Sequence, residues 1–220
     1  MLNRTLLVAL ASIGVLSHTA AAATKTWNGS AGSSWSANGN WTPSGAPASG
    51  DDLVFPANTM ATPVASFNPT NDLAAGTLFH TILVQASGYT ISGNGIQLNS
   101  GLTAQNVSGA STLSLDVSFF PTQSIAVSNA GASLTFSGSL TIGFSILGVS
   151  GSGDVTMTGS VGGTGAMTKN GAGRLTLSGT NTFGGTMSIV AGTVRIQHAS
   201  ALGSAVSATT VSAGAALEID

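Results

Sequence analysis

The sequence predicts an all-β chain built as a parallel β-helix, a solenoid with coils of about 21 residues behind a Trp-rich N-terminal cap. Three observations carry this reading. The first is a recurring phrase: GASLTFSG (131–138), GSGDVTMTG (151–159) and GAGRLTLSG (171–179) all alternate large apolar with small hydroxyl residues. The second is its spacing. The first apolar residues of successive phrases are Tyr89, Leu113, Leu134, Val155, Leu175, Val194 and Leu217, a narrow and regular set of intervals. The third is composition. Charged residues make up 5% of the 220, against roughly 25% in ordinary globular domains, and 30 glycines punctuate a chain rich in Ser, Thr, Ala and Val.

An internal period of this size with one alternating strand per repeat has a simple physical solution. Parallel strands of successive repeats stack at about 4.8 Å and share their backbone hydrogen bonds with the rungs above and below. The apolar partners two positions on, Ile91, Leu115, Phe136, Met157, Leu177, Ile196 and Ile219, then point inward with the anchors. The residues between them, Thr90, Ser114, Thr135, Thr156, Thr176, Arg195 and Glu218, face out. Gly and Asn provide the bends, with Gly171 and Gly173 turning one corner. A second strand of the coil is read at Ile125 and Val127, Leu140 and Ile142, and Met187 and Ile189. An antiparallel sandwich also uses alternating strands, but these tend to recur roughly every 8–12 residues in irregular phase.

In chain order, residues 1–23 read as a secretory signal peptide: Arg4, an apolar run over 6–16, then small residues ending in Ala20 to Ala23. Cleavage is expected after Ala23, with Ala22 the alternative. The apolar run is short of the about 20 residues a spanning helix needs. Residues 24–72 form the cap segment and hold Trp27, Trp35 and Trp41. Three indoles in a turn-rich stretch could form a sugar-stacking platform or bury one end of a core; the cap is the expected role. Asp51 and Asp52 are read as a solvated or turn-bonding pair, since adjacent strand residues point to opposite faces and no Asp-rich calcium loop surrounds them. Residues 73–220 form the β-helix, which stops inside an apparent strand, so the chain is read as a fragment of a longer protein or a truncated product.

The stretch GGTGAMTKNGAGRLTLSGTNTFGGTMSIVAGTVRI (162–196), followed by ASALGS (199–204), resembles the autotransporter-associated β-strand repeat. The residues that carry the resemblance are Lys169, Gly171 and Gly173, the run from Leu175 to Gly179, that from Asn181 to Thr186, Ala191 to Val194, and Ala199 to Gly203. The openings WNG…WSANGNWTPSGAPASGDDLVF and FHTILVQASGYTISGNGIQL resemble the portion that precedes such repeats, whereas 102–149 matches only in its period. The resemblance implies a passenger region: a right-handed parallel β-helix displayed on, or released from, the surface of a Gram-negative bacterium. It also implies an outer-membrane β-barrel translocator in the full-length protein, which this sequence lacks. The same repeat occurs in surface proteins with other anchors.

The residues offer little chemistry. With no cysteine, thiolate catalysis and cysteine-ligated metals are excluded, and five Lys+Arg with a formal net charge of −2 argue against nucleic acid. Catalytic β-helices that cleave polysaccharides need carboxylates clustered across neighbouring rungs. The mature acids here are Asp51, Asp52, Asp72, Asp116, Asp154, Glu218 and Asp220, and Asp116 and Asp154 occupy different phases of the phrase. Lys169, Arg174 and Arg195 are read as solvated, in or beside turns or outward on strands. His80, on the strand FHTILV, and His198 lack a nearby acid–nucleophile set and are read as structural. GSGDVTM is at most a fragment of a calcium-binding nonapeptide, since its Asp does not recur. No catalytic, cofactor-binding or metal-ligating residue is therefore assigned, and no cofactor is expected. The expected function is a non-catalytic, secreted or surface-displayed stalk or adhesin scaffold, with host-surface or extracellular-matrix molecules or glycans as partners. The competing expectation is a fragment of a polysaccharide-active enzyme whose catalytic residues lie beyond Asp220.

Overall fold

The computed structural model describes residues 22–220, so the predicted leader lies outside the described residues except for Ala22 and Ala23. One coil shows how the chain is built. Gln123–Val127 runs in a first sheet, Gly131–Phe136 turns into a second, Leu140–Ile142 into a third, and Ile146–Gly151 returns to lie on Gln123–Val127. Repetition of this path makes a parallel β-solenoid of about seven turns. Among the described residues its three sheets hold ten, eight and five strands.

Register follows the alternation. In the first sheet Leu53, Ile82, Leu102, Ile125 and Val149 are successive partners, all buried. In the third, Phe79, Leu98, Phe119 and Ile142 stack in the same way. In the second, Leu134, Val155, Leu175, Val194 and Leu217 form one inward column, and Ile91, Leu113, Phe136, Met157, Leu177 and Ile196 form the other. Each fully buried Leu, Val or Ile contributes about 1.5–3 kcal/mol, and only the stacking of coils removes both of its flanks from water. Between the two columns Thr90, Thr112, Thr135, Thr156 and Thr176 stand in register on five consecutive strands, facing outward.

Two details of the sequence reading change. The expected anchor Leu113 stacks on Ile91 and Phe136, and Ser111 takes the place beside Leu134. Residues 113, 115 and 117 are all apolar, so a slip of two preserves the alternation and hides the register. Ser111 fills an inward place because its hydroxyl donates to the Ala86 carbonyl at 3.0 Å. The strands grouped as one further strand per coil also divide: Ile125–Val127 and Met187–Ile189 belong to the first sheet, Leu140–Ile142 to the third. All three sheets share a period of two, so alternation alone cannot separate them.

Gly171 and Gly173 do lie at a corner, where the coils nearly touch. A Cβ on Gly171 would run into the Gly151 backbone, and one on Gly173 into that of Gly153. Gly151 itself has φ 96°, a left-handed conformation natural to glycine.

The N-terminal end is closed differently. Trp41–Thr42 pairs antiparallel with Thr24–Trp27 and so covers the outer edge of the first sheet's parallel stack. Trp27, Trp35 and Trp41 are buried, with Trp27–Trp41 ring centroids 5.1 Å apart and Trp35–Phe79 centroids 5.8 Å apart, edge to face. Phe55 joins the cluster and meets Tyr89, whose hydroxyl donates to the Pro56 carbonyl at 2.8 Å. The indoles therefore fill the end of the core, and no sugar-stacking face remains open on them.

Candidate functional site

The titratable side chains are spread along the solenoid, and most bond to the backbone of a neighbouring segment. Asp116 accepts the Ser139 amide at 2.7 Å and Asp154 the Arg174 amide at 2.8 Å, each one coil away. Asp72 accepts both the amide and the hydroxyl of Ser36. Burial draws the Asp72 carboxyl upward, but these bonds outweigh it and hold it below its ordinary value. At the far end Asp220 accepts from Arg195 at 2.7 Å and Gln197 at 2.8 Å, which also lowers it, while Arg174 lies 3.5 Å from Glu218. Among the described residues no three of His, Asp and Glu approach closely enough to hold a metal ion.

Asp51 and Asp52 have separate roles. Asp51 is buried and turn-bonded, accepting the Ala48 amide at 2.8 Å and the Ala23 amide at 2.9 Å. Asp52 points the other way, to a half-exposed His80 whose Nδ1 lies 2.8 Å from its Oδ1. Thr81 donates its hydroxyl to the same oxygen. Burial raises the Asp52 carboxyl, but the hydrogen bonds from Thr81 and His80 overcome this and leave it lowered. His80 thus does have an acid neighbour, and it sits at the corner between Thr77–Phe79 and Ile82–Val84 rather than within a strand. The residues that meet here are 28 and 29 apart in sequence, one coil, which a reading in local windows misses. The Thr81 hydroxyl donates to the carboxylate and not to the imidazole, so the trio does not form the nucleophile–base pair of acyl-transfer sites.

Lys169 is the clear correction among the basic residues. Expected in solvent, it is 2% exposed and faces inward, stacked between Val149 and Ile189. Its ammonium donates to the carbonyls of Gly171 and Ala191 at the corner. Burial pushes its pKa down, and attraction to Asp154 opposes the shift. The alternation MTKN was the available signal: Met167 faces inward, so Lys169 must too. Arg174 and Arg195 do point outward. His198 holds the Ser200 amide at 3.0 Å.

Two surface features carry no titratable group. A hollow of about 630 Å³ lies beside the capped end, lined by Thr26, Trp27, Asn28, Thr42, Pro56 and Val64. At the corner between the third and first sheets, two consecutive coils present Phe120 and Phe144, the latter 95% exposed, around a cleft of about 400 Å³. Among the described residues no helix is long and apolar enough to cross a membrane.

Residues 167–196, which contain the inward Lys169, its glycine corner and four strands of adjoining coils, match the passenger-associated-transport-repeat family. Such a repeat belongs to passenger regions of secreted or surface-exposed proteins of Gram-negative bacteria. No curated protein and no solved structure matches the chain.

Proposed function

We propose that this chain, an autotransporter passenger repeat wound into a parallel β-solenoid, works as the stalk of a surface-displayed or released passenger, an adhesin-type scaffold that holds binding groups away from the cell. The observation that carries the reading is the use of the polar side chains: Asp116, Asp154 and Lys169 bind backbone groups of adjoining segments and so tie rung to rung. Export through the predicted leader and a β-barrel translocator belong to the same reading. Host-surface or matrix molecules and glycans are its partners, met at corners and hollows where side chains leave the regular ladder.

A stalk tolerates a change of length because each coil contacts only its neighbours. Removing residues 155–174, one coil by the pairing of Val155 with Leu175, is expected to keep cooperative unfolding and surface display. Robust turnover of soluble polysaccharide by the purified chain, or loss of all folding on removal of that coil, overturns the proposal.

A further inference from the structure

Two overlapping small-residue triplets end the predicted leader, Ala20 to Ala22 and Ala21 to Ala23, and either fits the A-x-A pattern. We propose that the cut falls between Ala22 and Ala23, so that the mature chain begins at Ala23 with its α-ammonium on the buried carboxylate of Asp51. The inference rests on the reading of residues 1–23 as a cleaved leader and names the residue that the fold retains.

Ala23 is already part of the first coil. Its backbone nitrogen lies 2.9 Å from Asp51 Oδ1, and its carbonyl accepts the Asp52 amide at 2.9 Å. Asp51 is 4% exposed; its second oxygen takes the Ala48 amide at 2.8 Å. Among the described residues no Lys, Arg or His side chain pairs with it. A buried carboxylate held by amides alone lacks a countercharge, which is costly in an apolar surround. A cut before Ala23 converts the amide already on Asp51 into an ammonium and supplies that charge with no change of position. A cut after Ala23 removes the donor to Asp51 and the acceptor of the Asp52 amide together.

The chemistry is hydrolysis by a signal peptidase. One water adds across the Ala22–Ala23 amide, leaving a carboxylate on Ala22 and an amine on Ala23, which takes up a proton. The peptidase meets the chain unfolded, so the fold does not steer the cut; it reveals which terminal residue has a place waiting.

The test is export of the full chain with its own leader from a Gram-negative host, followed by intact mass and N-terminal sequencing. A chain starting at Ala23 is the expected result. A start at Thr24 overturns the inference and leaves the leader reading standing, whereas an exported chain that keeps Met1 overturns the leader reading itself. The second measurement is titration of the terminal amine in the Ala23-initiated protein. It is expected above the ordinary α-amino range of about 7.7–8.0, falling back in Asp51→Asn. An amine that titrates in the ordinary range, indifferent to Asp51→Asn, overturns the pairing.

Discussion

The first coils and the middle coils meet the same requirement, to bury an inward face, in different ways. The stretch of chain from Leu53 to its partner Ile82 is nearly half as long again as that from Val149 to Lys169. The long coils carry the indoles, Phe55, Phe79 and Tyr89, and their side chains reach far for partners, as when Trp27 Nε1 donates to the Ser66 carbonyl at 2.8 Å. The short coils carry mostly aliphatic or Met residues in their columns, with Phe136 and Lys169 among them, and bring glycine backbones into contact at the corner. The difference is one of neighbours. A middle coil is covered on both flanks by copies of itself, so small regular residues suffice. A terminal coil has a copy on one side only, and large rings with an antiparallel strand take the place of the other.

If that is right, the middle coils fail most sharply when an inward column is charged. Leu175→Asp places an unpaired carboxylate between Val155 and Val194, fully buried, and is expected to cost about 5 kcal/mol or more. Thr176→Asp, one residue along on the outer face, is expected to cost less than about 1 kcal/mol. Thermal unfolding of the pair checks this, and a loss for Thr176→Asp as large as or larger than that for Leu175→Asp would mean that the inward face is wrongly assigned.

The aromatic end offers a finer comparison within one cluster. Trp41 Nε1 donates to the Trp35 carbonyl at 2.8 Å, while Trp35 Nε1 is buried with no partner among the described residues. Trp41→Phe and Trp35→Phe remove similar volume, but only the first breaks a hydrogen bond, and the second takes away an unsatisfied donor. Trp41→Phe is expected to be the more destabilising by about 1–2 kcal/mol. Denaturant midpoints for the two variants decide; a larger loss for Trp35→Phe would show that ring packing outweighs hydrogen bonding at the cap.

These contrasts also explain what could be read from the sequence. Period and alternation report directly on stacking and facing, so the parallel solenoid, the inward Leu175 and Leu177, and the indole-filled end were all legible. Register was harder where apolar residues at 113, 115 and 117 allowed a slip of two, and where a hydrogen-bonded Ser111 stood in a core column. The meeting of Asp52 with His80 depends on the exact length of one long coil. The inward direction of Lys169 was visible in the alternation, but the usual solvation of lysine argued the other way. What reverses that preference is a pair of corner carbonyls that only the fold brings within reach.

Lysine gives the smallest and most selective test of the two regions. Lys25 opens the inward column at the sealed end, where its ammonium donates to the Pro43 and Gly45 carbonyls at 3.2 and 3.0 Å; Lys169 stands in the same column among the short coils. Burial holds Lys169 below its ordinary 10.5, so the folded chain releases this proton before the unfolded chain does. Between the two values the unfolded state binds more protons, and stability must rise with pH through that window; below it the cost of the buried charge is present in full. Tyr89 acts oppositely above its ordinary 10.0, because burial pushes its phenol up and the unfolded state then ionises first. Below the ordinary 10.0 of tyrosine, the denaturation midpoint is therefore expected to climb with pH through the Lys169 window in the native sequence and to stay flatter in Lys169→Met. Parallel curves for the two proteins would assign the rise to groups other than Lys169.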